Sequence, residues 1–114
     1  MKDDRVYLLH IRDSIAKIRR YTEGGEEQFF EDDLTQDAVV RNLEIIGEAV
    51  KNLSDTLKSR RPDIPWRRIA GTRDIVIHQY FGVNYQTVWD IVETQLTEFE
   101  QAVKGLLSEM ESTG

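Results

Sequence analysis

Residues 39–57 read Val39-Val40-Arg41-Asn42-Leu43-Glu44-Ile45-Ile46-Gly47-Glu48-Ala49-Val50-Lys51-Asn52-Leu53-Ser54-Asp55-Thr56-Leu57. Val39, Leu43, Ile46, Val50, Leu53 and Leu57 recur at steps of 4, 3, 4, 3 and 4. Such spacing keeps one apolar stripe along an α-helix. A strand, whose faces alternate every second residue, does not produce it. The stretch predicts a long helix with Thr35 as its N-cap, running to about residue 58.

The same period extends in both directions. Leu8, Ile11, Ile15, Ile18 and Thr22 step by 3, 4, 3 and 4, a first helix over about residues 4–22 that Gly24-Gly25 ends. Residues 23–33 read as an acidic loop whose Phe29 and Phe30 tuck back onto the core. Pro62 and Pro65 interrupt the chain, and Pro65 suits the first turn of a third helix through Trp66 and Ile69. Gly71 is a place for that helix to bend or split, and Gly82 its stop. Asn84 caps a fourth helix with the stripe Val88, Val92, Leu96, Phe99, Val103, Leu106 and Met110. Strand signals, internal repeats and low-complexity linkers are missing. The expected fold is all-α, one antiparallel helical bundle of four to five helices forming a single domain over residues 1–114. Leu9, Ile45, Ala49, Ile75, Ile91 and Leu107 lie off the main stripes. Surplus apolar surface on a small bundle favours a homodimer.

Composition narrows the function. With no cysteine among 114 residues there is no disulfide framework, thiolate metal site or cysteine nucleophile. His10 and His78 are far apart with no ligand spacing around them, so no metal and no cofactor is expected. No apolar run approaches the roughly 20 residues of a membrane span. The start, Met1-Lys2-Asp3-Asp4-Arg5, is too polar for a signal peptide, so the expected location is cytoplasmic and away from membranes.

The net charge of −6 argues against a polyanionic partner, but its distribution does not. Residues 58–73 hold Lys58, Arg60, Arg61, Arg67, Arg68 and Arg73 against Asp63 alone, a local +5. Such a run is a solvated surface or a phosphate-binding mouth, since phosphate binding needs local positive potential. This block runs directly into Arg73-Asp74-Ile75-Val76-Ile77-His78-Gln79-Tyr80. Arginine grips a phosphate with two parallel hydrogen bonds. Histidine exchanges protons near neutral pH. Taken singly, each of these residues also has an ordinary structural role: an ion pair for Arg73, a satisfied helix histidine for His78, a half-buried ring for Tyr80. His10 has nothing near it in sequence and reads as non-catalytic. Trp66 and Trp89 read as core or interface residues. At about 100° per residue, Arg73 and Tyr80 fall about 20° apart, while Arg73 and His78 fall about 140° apart. Asp74 and His78 are neighbours on the next stripe. The groups converge either through a bend in one chain or by two copies of the helix meeting across a two-fold axis. The second needs no distortion.

Arg73, His78 and Tyr80, in the order Arg-x4-His-x-Tyr, resemble the motif of HepT-like toxins in the HEPN superfamily. Asn42-Leu43-Glu44-Ile45-Ile46-Gly47-Glu48-Ala49 is similar to that family's second-helix signature. Ile64-Pro65-Trp66-Arg67-Arg68-Ile69-Ala70-Gly71 is similar to the approach to its motif. HEPN ribonucleases favour a polar residue after the arginine, and Asp74 fits. The resemblance covers nearly the whole chain. It implies a homodimeric HEPN domain whose Arg73 and His78 line a shared cleft, with metal-independent RNA endonuclease activity. It also implies an MntA-type nucleotidyltransferase antitoxin that silences the toxin by transferring AMP to Tyr80.

The chemistry of these groups agrees with the resemblance. RNA carries its own nucleophile, the 2′-OH, and His78 can take its proton while Arg73 stabilises the charged phosphoryl oxygens. Asp74 can orient the imidazole, as an acid partner does at other histidine sites. Arg60, Arg61, Arg67 and Arg68 are the candidate RNA contacts. The alternative is a HEPN dimer that binds RNA or a nucleotide, or acts as an adaptor, without cutting.

Overall fold

The computed structural model describes the backbone of residues 3–77 and 84–113, and the side chains of these except 73–77, 112 and 113. The chain runs α1 (Asp4–Tyr21), α2 (Gly25–Glu31), α3 (Asp33–Asn52), α4 (Asp55–Ser59), α5 (Trp66–Ile77), α6 (Tyr85–Asp90), a π-helical turn (Ile91–Gln95) and α7 (Leu96–Thr113). The described residues form an all-helical bundle. Helix α3 packs on both α1 and α5, and α7 packs on α1. Polar contacts fix the antiparallel sense. The start of α1 meets the end of α3 through Asp4 and Ser54, and the end of α1 meets the start of α7 through Arg19, which bonds Thr97 at 2.8 Å and Glu100 at 3.2 Å.

The core is built from the stripes. Leu8, Ile11, Ile15 and Ile18 of α1 are fully buried, as are Val39 and Val50 of α3 and Val103 of α7. Much of the apolar surface off the stripes is also used inside the chain. Ala49 and Leu107 are buried, and Leu9 and Ile91 pack partly buried against the core.

Four local features differ from the sequence expectation. The acidic segment is not a loop but helix α2, with Glu26 and Glu27 in its first turn where the helix dipole favours anions. Gly25, at φ 88°, supplies the left-handed turn from α1 into it. Phe29 tucks into the core as expected, while Phe30 stays 38% exposed. Second, Asp32 rather than Thr35 caps α3: its carboxylate accepts from the Leu34 amide at 3.0 Å and from the Thr35 hydroxyl at 2.8 Å. The Thr35 bond, more than the backbone ones, holds the Asp32 carboxyl below its ordinary range.

Third, the long helix breaks after Asn52. Leu53 is extended, and Ser54 starts α4 by accepting from the Leu57 amide at 3.1 Å. The Ser54 amide and hydroxyl also donate to the two oxygens of Asp4, at 2.8 and 2.6 Å, tying this break to the start of α1. Fourth, the last helix contains the π turn. Val88, Val92 and Leu96 are spaced 4 and 4, about 80° more than two α-helical turns allow. A wider turn absorbs the extra residue, and all three stay buried. Helix α5 follows Pro65 as expected, but it continues through Gly71 without the split expected there. Asn84 caps α6, accepting from the amides of Gln86 at 3.0 Å and Thr87 at 3.2 Å. The expected stop at Gly82 lies outside the described residues.

Candidate functional site

Trp66 sets up the start of α5. Its indole N–H donates to the carbonyls of Lys58 at 3.1 Å and Arg61 at 3.0 Å, and its ring meets Phe99 edge-on with centroids 6.0 Å apart. One side chain thus clamps the α4–α5 connection onto α7, and Trp66 belongs to the core.

The basic block divides into two unlike pairs. Arg60 is ion-paired to Glu109 at 2.6 Å. Arg61 makes a two-pronged bond to Asp63, at 3.0 and 2.8 Å, which raises its own pKa and lowers that of Asp63. Arg67 and Arg68 are exposed in the first turn of α5, and neither makes a hydrogen bond or ion pair among the described residues. Cations at a helix N-terminus oppose the helix dipole, each by roughly 0.3–1 kcal/mol. Two open arginines there carry that cost with no partner among the described residues, whereas a bound anion would offset it and also meet the free amides of the first turn.

Arg73 and Asp74 lie in the helical backbone of α5, Arg73 one turn beyond Ile69. Their side chains, together with His78 and Tyr80, lie outside the described residues, and so does the expected pairing of Arg73 with Tyr80 and of Asp74 with His78.

Beside α5 opens a cleft of about 650 Å³. Leu43, Ile46, Phe99 and Ala102 form its floor. Arg68, Ile69 and Thr72 stand on the α5 side, and Thr94, Gln95, Glu98 and Gln101 on the side of the π turn and α7. The sequence reading singled out none of the last four. Thr94 and Gln95 lie in the π turn, where the apolar stripe takes two successive four-residue steps. A shallower groove of about 300 Å³ between α1 and α3 holds His10, Arg41, Glu44 and Glu48. There His10 meets the Tyr7 ring edge-on at 6.4 Å, and Glu44 pairs with Arg41 at 3.5 Å. Among the described residues no group of three or more His, Asp or Glu is placed to hold a metal ion. Among them, too, no helix is long and apolar enough to cross a membrane.

A helical bundle whose fifth helix leads into Arg-x4-His behind two open arginines is a domain of the HEPN class. The family model described as ribonuclease HepT-like matches residues 11–106, and the chain belongs to that family. It is 43% identical over 108 residues to "Putative RNase TTE0752" of Caldanaerobacter subterraneus subsp. tengcongensis, covering 94% of this chain and 96% of that protein. It is 45% identical over 91 residues to "Probable ribonuclease HepT" of Thermococcus cleftensis, covering 79% of this chain and 83% of that protein. A third relative, from Methanocaldococcus jannaschii, is named "Gamma-glutamylcyclotransferase and putative RNase MJ0434"; it is 39% identical over 111 residues, 96% of this chain, which spans only 50% of that relative's length. No solved structure matches the chain significantly.

Proposed function

We propose that this chain is a single HEPN domain that acts as the toxin of a toxin–antitoxin pair, a metal-independent RNA endonuclease working as a homodimer. The observation that carries the reading is the pair of open arginines, Arg67 and Arg68, at the head of the helix that leads into Arg73, His78 and Tyr80. They supply a phosphate-binding approach that net charge alone hides. Family membership and relatives named as RNases support RNA as the substrate.

In this mechanism His78 of one protomer takes the proton of the RNA 2′-OH, and the freed oxygen attacks the adjacent phosphorus. Arg73 stabilises the charge that builds on the phosphoryl oxygens. His78 of the second protomer protonates the departing 5′-oxygen. The products are a 2′,3′-cyclic phosphate and a free 5′-hydroxyl. Asp74 orients the imidazole. DNA, lacking the nucleophile, stays intact. Silencing follows from attack of the Tyr80 oxygen on the α-phosphorus of ATP, with pyrophosphate leaving, catalysed by an MntA-type nucleotidyltransferase. The adduct adds negative charge where RNA phosphate must sit.

The test is cleavage of cellular RNA in EDTA by protein shown by intact mass to be free of adducts. Cleavage leaving a cyclic phosphate supports the reading. Adduct-free, dimeric protein that binds RNA but leaves it whole would favour the non-cleaving binding dimer. Protein co-produced with the transferase should carry AMP on Tyr80, located by peptide mass spectrometry, and should be unable to cleave. An adduct on another residue would remove Tyr80 from the scheme.

The two classes of arginine make a separate prediction. Replacing both Arg67 and Arg68 by alanine should weaken RNA binding and reduce the log–log salt slope by roughly 0.7 for each phosphate no longer neutralised. The same change at Arg60 and Arg61, already paired within the chain, should move the slope little. Filter binding across a salt series reads both, and equal effects from the two pairs would show that the internal ion pairs do not matter.

A further inference from the structure

The cleft beside α5 has two unlike walls. On the α5 side Arg68 has no partner among the described residues, and the Thr72 hydroxyl is turned back onto the Arg68 carbonyl at 3.2 Å. The opposite wall carries no cation among the described residues that line it. There Thr94, Glu98 and Gln101 follow at steps of 4 and 3, one stripe of the helix, beside the apolar floor formed by Phe99 and Ala102. Glu98 and the amides of Gln95 and Gln101 make no hydrogen bond or ion pair among the described residues. Glu98 repels a phosphate, so this wall does not suit the RNA backbone. It suits a neutral, flat heterocycle: an apolar floor with an aromatic ring, and acceptors and amides at the edge. At about 650 Å³ the cleft is well within the range of roughly 300–1,000 Å³ that small-molecule sites occupy.

We propose, on the reading that this chain cleaves RNA, that the cleft is a nucleobase pocket that sets the sequence preference. It takes the base of a nucleotide flanking the scissile phosphate, Glu98 selects bases that present an amino group, and Arg68 holds that nucleotide's phosphate. Arg68 precedes Arg73 by five residues, about 7.5 Å along the helix axis and about 140° round it, so a strand crosses the helix to reach both. Single-stranded RNA is read in this way, its bases splayed onto apolar or aromatic surface and bonded along their Watson–Crick edges. A carboxylate accepts from exocyclic amino groups, and guanine offers an adjacent ring N–H as a second donor. Uracil offers a ring N–H flanked by two carbonyl oxygens that the carboxylate repels. The pocket therefore ranks guanine first and uracil last, by on the order of ten-fold.

The experiment sequences the ends released from a randomised RNA pool and, in parallel, titrates the full chain with guanosine and uridine 5′-monophosphate. Wild type should disfavour uracil at one position beside the cut, and should bind the guanosine nucleotide more tightly. Glu98→Ala should bring both ratios close to one. Glu98 is exposed on α7, where alanine is a good helix former, so the variant should fold. Arg68→Ala should raise KM for every sequence while the base ranking survives. Cleavage with a flat profile, or a preference that survives Glu98→Ala, overturns the pocket and leaves the ribonuclease reading standing. No cleavage, with nucleotide discrimination intact and sensitive to Glu98, keeps the pocket and overturns the ribonuclease reading. If Gln101→Arg splits a dimer without moving the base ranking, the cleft is a contact between copies and the proposal fails.

Discussion

His78→Ala is expected to lower RNA cleavage in EDTA by about 10²–10⁴-fold, the range that a positioned general acid–base group contributes. The expectation follows from the reaction. The 2′-OH is a poor nucleophile until its proton is taken, and the 5′-oxygen is a poor leaving group until it gains one. If one residue type does both jobs from opposite protomers, a single substitution removes both from the dimer, so the loss should lie toward the upper end. A mixed dimer with one wild-type and one His78→Ala chain separates the two jobs. If each site draws its acid and its base from different protomers, the mixed dimer keeps only one of the two groups and falls far below half of the wild-type rate. If each chain works alone, it keeps about half. The pH dependence carries the same information, because a site using one basic and one acidic imidazole gives a bell-shaped profile. Circular dichroism and size-exclusion chromatography must show the variant folded and in the wild-type assembly state. A folded His78→Ala protein cutting at the wild-type rate would sink the assignment of the base.

How much of this is legible in the sequence depends on whether the determining contact is local. The apolar stripes are a property of one helix at a time, and they place the core of α1, α3 and α7 directly. The break at Leu53 is hidden because Leu53 and Leu57 are both buried, so the apolar period runs on through a chain that has stopped being one helix. Its signal is chemical rather than periodic: Ser54 followed by Asp55 is a helix start. Thr35 has the right side chain for a cap, yet Asp32 three residues earlier claims both the Leu34 amide and the Thr35 hydroxyl. The bond between Arg61 and Asp63 spans two residues and can be read from sequence, whereas the pairing of Arg60 with Glu109 joins residues 49 apart and cannot. That long-range pairing is why six cations in one stretch do not make one uniform patch. The candidate catalytic residues stand out as a short motif, and the cleft wall at Glu98 escapes a sequence reading for the opposite reason. It faces α5 across a cleft whose two sides are far apart in sequence.

The largest effect on stability is expected at Phe29. Phe29→Ala should cost about 3–5 kcal/mol, the usual range for emptying a fully buried aromatic site. It should lower the melting temperature by on the order of 15 °C. The ring is 0% exposed and sits against Tyr85 at 6.2 Å and Trp89 at 5.3 Å, so it is the contact through which short α2 holds the start of α6. Its neighbour provides an internal control. Phe30 has the same side chain on the same short helix but is 38% exposed, so Phe30→Ala removes far less apolar area from the interior. Thermal melts of both variants at one matched concentration decide the point, since a dimer's melting temperature depends on concentration. Equal losses would show that α2 is held by its backbone and not by the Phe29 ring. The predicted inequality has a functional consequence. Helix α6 begins only a few residues beyond His78 and Tyr80, so the acidic segment that reads as a loop in the sequence anchors the chain on the far side of the motif. Phe29→Ala should therefore lose RNA cleavage at temperatures where its helical circular dichroism is still native, while Phe30→Ala should lose the two together.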